Sequence, residues 1–328
     1  MSINGEREIP ALAYAPGEEI GVGWESIVRE LGPDWVIKEV NPFDNDGEKK
    51  PKSESRMRYL RSEERAVRMS HEQQRLQQIF GEEHFERMYF IKTADEKGEE
   101  IFLMIQKRVH GANLNAYIKR EDITTEQFIK ENREQLMELA WGAKKAFIEF
   151  GMPLDFHIGN MIREEATGNI KIVDTGEPAR GLERLSGEIK PQDVMEIMER
   201  TEKRLNTMRT LEDRLELSPE EVKALNEKYD IDESEFGKRV EFLQGKKKEA
   251  EAQLAKERKE REEALSQFLD GVMDGNDTTT GRRVHEAALK LVEGMKVNKK
   301  TQEHLDELEK NADVAGDKAY WTEFLTRI

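Results

Sequence analysis

The sequence has no cysteine. Disulfides, thiolate nucleophiles and cysteine-ligated zinc are therefore excluded. Its six histidines, at 71, 84, 110, 157, 285 and 304, include no pair at metal-ligand spacing, which argues against a structural zinc site. Positive charge is in short supply, with 53 Lys and Arg against 69 Asp and Glu and a net charge of −16. That balance disfavours nonspecific binding to nucleic acid or to anionic membranes and suits a cationic or protein substrate. No apolar run approaches the roughly 20 residues of a membrane span. The first residues, Met-Ser-Ile-Asn-Gly-Glu-Arg-Glu, lack a signal-peptide core. A cytoplasmic protein is expected, and a secreted effector exported without a cleavable signal would look the same. Proline is nearly absent from the second half, where only Pro219 follows Pro191.

What is present is charge of both signs and helix-forming sequence. Charged residues make up 37% of the 328 positions and hydrophobic residues 36%. With a mean hydropathy of −0.82, the chain can bury a real core while carrying long solvated helices.

The rest is arranged around Met152-Pro-Leu-Asp-Phe-His-Ile-Gly-Asn-Met-Ile162 and, after a turn, Ile172-Val-Asp-Thr-Gly176. Asp155 and Asn160 lie five residues apart among apolar neighbours, and Asp174 ends an apolar run. Three oxygen-bearing side chains at strand ends suit phosphoryl transfer, which needs a carboxylate at the attacking hydroxyl and hard oxygen ligands for Mg²⁺. Taken alone, an Asx-rich turn between two strands accounts for the pattern equally well.

Upstream, Ile20-Gly-Val-Gly-Trp-Glu-Ser-Ile-Val28 reads as a glycine-rich turn between strands. Trp35-Val-Ile-Lys-Glu-Val40 reads as an alternating strand with Lys38 at its middle. A strand lysine behind a glycine turn can reach phosphates, and on an edge strand it can equally serve to discourage aggregation. Residues 41–55 read as a mobile polar loop. A helix follows over about 56–80, on which Glu72 is the residue expected to pair with Lys38, with Glu64 as the alternative. Two strands, 88–91 and 101–105, complete a small antiparallel sheet. The connector 106–111 would be a hinge that sets Gln106 and Arg108 near an adenine edge. A helix over 125–150 buries one face, with Trp141 expected in the core rather than on a ligand.

In this order the parts resemble the protein-kinase-like superfamily. Gly21, Gly23, Ser26 and Val28 look like its glycine-rich loop, Lys38 its third-strand lysine and Glu72 its helix glutamate. Asp155-x-x-x-x-Asn160 is similar to its catalytic loop and Asp174-Thr-Gly176 to its metal-binding tripeptide. The resemblance implies an α+β, two-lobed fold with ATP and Mg²⁺ as cofactors. It implies phosphate contacts from Gly21, Gly23, Ser26, Val28, Lys38 and Glu72, a metal held by Asn160 and Asp174, and catalysis by Asp155. The form Asp155-x-His157-x-x-Asn160 is closest to aminoglycoside phosphotransferases and choline kinases, and would bring His157 to the phosphate side; a loop-bracing role for His157 is as good a reading. There are departures. Pro153-Leu154 stands where His-Arg usually precedes the aspartate, Ser26 replaces the third glycine, Thr175 replaces an aromatic residue, and Glu177-Pro178 follows with no Ala-Pro-Glu. The likeness covers about residues 17–180.

The expected division is 1–110 as an N-lobe with a small antiparallel sheet plus helix, 111–190 as a reduced helical C-lobe, and 191–328 as a mostly helical region. Helices are predicted over 191–215, 219–229, 233–270, 281–295, 301–311 and 317–327. The third carries i, i+4 charge pairs from Gly245 to Glu263, the mark of a solvated long helix or coiled coil. Its simplest role is an extended arm; it also fits docking of a protein substrate or partner. The expected activity is transfer of phosphate from ATP to a protein Ser or Thr hydroxyl. A small-molecule acceptor and a noncatalytic pseudokinase or helical scaffold are the alternatives.

Overall fold

The computed structural model describes residues 17–22, 26–45, 49–95, 97–187 and 189–273. The chain is α+β. It divides into two compact units, 1–247 and 248–328. The helices predicted over 281–295, 301–311 and 317–327 lie outside the described residues, as does Gly23.

The first unit opens with five antiparallel strands ordered β1-β2-β3-β7-β6. These are β1 (Glu19–Val22), β2 (Ser26–Glu30), β3 (Trp35–Val40), β6 (Met88–Ala94) and β7 (Glu100–Lys107). The register sets Val28 opposite Lys38 and Lys38 opposite Met104, so the lysine is on a central strand. That rules out the edge-strand explanation for its presence, because both sides of β3 are hydrogen-bonded. Two helices, α1 (Glu54–Leu60) and α2 (Glu63–His84), pack beside the sheet. Serines cap both, Ser53 accepting from Arg56 N–H and Ser62 from Arg65 N–H. Within the stretch 41–55, the described residues include two short strands, β4 (Phe43–Asn45) pairing with β5 (Lys49–Pro51). Lys52 is buried, with its ammonium donating to the carbonyls of Asn41 and Phe43. Two bonds from one lysine to backbone carbonyls give a polar segment an anchor that hydrophobicity would not predict.

After β7 the chain forms a second, smaller sheet of β8 (Gly111–Asn113), β9 (Met161–Glu164) and β10 (Ile170–Ile172), ordered β10-β9-β8. The helices α3 (Leu114–Arg120), α4 (Thr125–Glu131) and α5 (Arg133–Phe150) lie between β8 and β9. The single helix expected over 125–150 is two, broken at Asn132, whose amide donates back to Phe128 carbonyl and so competes with the helical ladder. α5 ends at Gly151 with φ 71°, a left-handed cap that turns the chain into the Asp155 loop. α6 (Pro178–Ser186), α7 (Pro191–Leu215), α8 (Pro219–Lys228) and α9 (Glu233–Met273) follow. α7 spans the range its periodicity predicts, with Met198, Leu205 and Met208 buried.

The core of this unit gathers residues from α2, α5, β9, β10 and α7, among them Leu76, Leu139, Phe147, Leu154, Ile172 and Met198. Trp141 is in that core as expected, with its indole N–H donating to Asn226 Oδ1 at 2.7 Å. Among the described residues no helix is long and apolar enough to cross a membrane. Phe147 is fully buried and stacks edge-on against Phe236 of α9. Phe147→Ala is expected to lower unfolding free energy in urea by about 3–5 kcal/mol, the usual cost of emptying a buried aromatic site.

Candidate active site

Lys38 is the place to start, because an ammonium inside a sheet must find a partner. It is 6% exposed, and its Nζ donates to the carbonyl of Val173 at 2.8 Å. Burial pulls its pKa below the ordinary lysine value, and the nearby charge of Asp174 opposes that shift in part. The charge that acts on Lys38 is thus Asp174, not Glu72. Glu72 is buried on α2 and lies 3.9 Å from Arg68. The expected fallback, Glu64, is exposed.

The Val173 carbonyl also accepts from Gln106 Nε2 at 3.2 Å. Gln106 was expected at an adenine edge; its amide points inward and donates to the Glu86 carbonyl as well. Arg108 pairs with Glu30 at 2.6 Å, so its guanidinium ties the connector to β2. Gly21 and Val28 face each other across the β1–β2 hairpin, and Ser26 begins β2, buried.

Backbone hydrogen bonds bring the two acidic loops together. Asp155 N–H donates to Thr175 carbonyl at 3.0 Å, and Val173 N–H to Asn160 carbonyl at 2.9 Å. Asn160 Nδ2 donates to Asp155 carbonyl at 2.9 Å. That contact turns the Asn160 amide so that its oxygen is left for another partner. Asp174 Oδ1 accepts from Gly176 N–H at 3.0 Å. Gly176 has φ 69°, so the left-handed turn that carries Asp174 back favours glycine. His157 Nδ1 accepts from Gly159 N–H at 3.0 Å, which leaves the proton on Nε2, 3.9 Å from Asp155 Oδ1. His157 therefore braces its own loop and also faces the aspartate.

Two further groups had no signal in the sequence. Arg204 of α7 approaches Asp155 Oδ1 at 3.3 Å through Nε. A guanidinium thus reaches the aspartate from a helix some fifty residues downstream. Glu177, next to the Asp174-Thr-Gly turn, is 8% exposed in its side chain. It accepts from Arg65 Nε at 2.5 Å, Arg68 Nη2 at 2.7 Å and Tyr59 Oη at 3.3 Å. Arg180 stacks 3.8 Å over the Tyr59 ring. Burial pushes the Tyr59 hydroxyl up from its ordinary pKa, with the Glu177 charge adding to the shift. The turn carrying Asp174 is in this way tied to α1 and α2.

Beside the Asp155 loop lies a cavity of about 690 Å³. Phe128, Phe156, Met161 and Leu211 are among its apolar lining, and His157 and Arg214 are at its polar side.

No family model and no curated protein matches this chain. Among solved structures, a MAP kinase from Leishmania major is similar at 14% identity, over 56% of this chain and 49% of its own length, with a TM-score of 0.29. The chain thus spans about half of that kinase, and a superposition this loose carries no weight for fold or activity.

Lys38→Met is expected to leave the fold as stable as wild type or more so, because the Val173 carbonyl keeps its Gln106 bond while a desolvated ammonium is removed. The folded-state pKa is depressed, so wild type regains stability as pH rises toward 10.5; the difference in urea midpoint between the two proteins should shrink over that range. Glu177→Ala, by contrast, strands buried guanidinium groups. It should cost about 3–5 kcal/mol in the same denaturation measurement.

Proposed function

We propose that this chain is an ATP- and Mg²⁺-dependent phosphotransferase of the kinase-like kind, acting on a protein Ser or Thr hydroxyl. The observation that carries this reading is the convergence of Lys38, Asp174, Asn160 and Asp155 on the backbone of Val173–Gly176. In it, residues 1–110 act as the nucleotide-binding lobe, 111–190 as a reduced catalytic lobe, and 191–328 as the region that docks the protein substrate.

Each residue then has a role its surroundings suit. The hairpin around Gly21 to Val28 covers the phosphates, and the Lys38 ammonium binds their oxygens. Asp155 accepts the acceptor hydroxyl's proton as the new O–P bond forms and the bond to the leaving ADP oxygen breaks. Arg204, on one oxygen of Asp155, leaves the other free to orient the hydroxyl. The residues fit a hard cation: Asn160 has an amide oxygen turned free by its own hydrogen bond, and Asp174 spends one oxygen on Gly176 and keeps the other. Mg²⁺ held there would neutralise phosphate charge as the bond to the leaving group breaks. The acidic balance of the chain gives no support to nucleic-acid or membrane partners.

One observation favours a second reading, a small-molecule alcohol as acceptor. The cavity bordered by His157 is of the size that takes a small ligand, and His157 Nε2 stands 3.9 Å from Asp155 Oδ1.

The test pairs binding with chemistry. ATP with Mg²⁺ should raise the melting temperature of wild type and not of Asp174→Ala. Label from γ-³²P-ATP should pass to lysate proteins, or to the chain itself, at a rate about 10²–10⁴-fold lower in Asp155→Ala. Transfer only to small molecules would favour the second reading. Binding without transfer to any acceptor would make the chain a pseudokinase scaffold, and no nucleotide-dependent shift would end the proposal.

A further inference from the structure

A second cluster of chemically capable groups lies at the end of β10 remote from Asp174. His84, the last residue of α2, is buried, with 7% side-chain exposure. Its Nδ1 lies 3.1 Å from the carbonyl oxygen of Ile170, the first residue of β10. A carbonyl can only accept, so Nδ1 carries a ring proton, and with no second proton on the ring Nε2 presents a bare lone pair. That lone pair faces Glu138 Oε2 of α5 at 3.3 Å. Two acceptors at this distance repel unless something positive sits between them.

The third side is closed by Glu83. One ligand atom from each of Glu83, His84 and Glu138 lies within 4.8 Å of the others. The Glu83 carboxylate holds no hydrogen bond or ion pair among the described residues. Glu138 is different, because Lys228 Nζ donates to its other oxygen, Oε1, at 2.5 Å. Two of the three inward-facing groups therefore have an outer partner that fixes their orientation: the Ile170 carbonyl for the imidazole and Lys228 for Glu138. Such outer partners are what metal-ligating side chains need. Glu83 is exposed and Glu138 is 25% exposed, so an ion can enter from solvent.

We propose that Glu83, His84 and Glu138 form a site for a divalent cation of borderline softness, Zn²⁺ in particular, with a further position left to water. One imidazole nitrogen and two carboxylate oxygens at close range match the donors that zinc takes at about 2.0–2.2 Å. A nitrogen donor gives little to Mg²⁺ or Ca²⁺, which prefer oxygen alone. Histidine spacing in the sequence gave no sign of the site, because the third ligand comes from another helix. The site is independent of the phosphotransferase reading.

Full-length protein stripped with EDTA and titrated with ZnCl₂ in a calorimeter should bind one zinc per chain at this site, with a rise in melting temperature that EDTA reverses. Glu83→Gln, at an exposed position that leaves folding intact, should weaken binding by at least about tenfold. His84→Ala should abolish it, and Asp174→Ala should leave it unchanged. No heat and no thermal shift in wild type would overturn the proposal and leave a proton as the occupant of the His84–Glu138 gap. Zinc binding that persists unaltered in both Glu83→Gln and His84→Ala would overturn it as well.

Discussion

The carbonyl of Val173 is the contact on which the candidate site depends. It receives the Lys38 ammonium from β3 and the Gln106 amide from β7, the two strands at the middle of the first sheet. Burying an ammonium costs several kcal/mol unless it is hydrogen-bonded, and a backbone carbonyl just past β10, in the second sheet, satisfies it at a fixed place. Because Asp174 is the next residue, the same bond sets the distance between a buried positive charge and a carboxylate. The sheet and the acidic loop are therefore positioned by one acceptor with both lone pairs in use.

A second tie acts on the same loop from the helical side. Glu177 gathers Arg65, Arg68 and Tyr59, so the segment after Gly176 is anchored to α1 and α2 within three residues of Asp174. This contact is made by a carboxylate that belongs to the chain itself. In the proposed phosphotransferase it would hold the loop in one arrangement without a covalent modification, which agrees with the brevity of the segment between Asp174 and α6. Arg204 belongs to the same economy of parts, reaching Asp155 from α7 where the adjacent residue, Leu154, is committed to the core.

The helices that follow are not an appendage in the first unit. α7 packs along α5 through Met198, Leu205 and Met208, and α8 begins with a complete capping box at Ser218 and Glu221. Arg133 of α5 bonds both oxygens of Glu221, and that hydrogen bond, together with the Ser218 N–H, holds the Glu221 carboxyl down at about 2. A helix start and an interhelical contact are made by the same residue. The helical segment up to Lys247 is in this sense continuous with the core that carries the candidate site.

Much of the local structure was legible because it is written in short-range terms. Strand alternation located β3, and the apolar period with its flanking prolines located α7 and α8, since these patterns depend only on which residues lie one turn or one pleat apart. The loop containing Asp155 and Asn160 and the turn at Asp174 could be picked out for the same reason. Partners could not. Lys38 answers to Val173 and Asp174 rather than to Glu72, Gln106 turns inward, and Lys52 orders a stretch whose composition reads as loop. Arg204, Glu177 and the Glu83–His84–Glu138 cluster join residues dozens of positions apart. The sequence alone determined the elements and the chemical groups available, because propensity and periodicity are local. Only the tertiary structure decided which charge meets which, because a buried group takes whatever partner packing brings within about 3 Å, and that choice is made by the whole core at once.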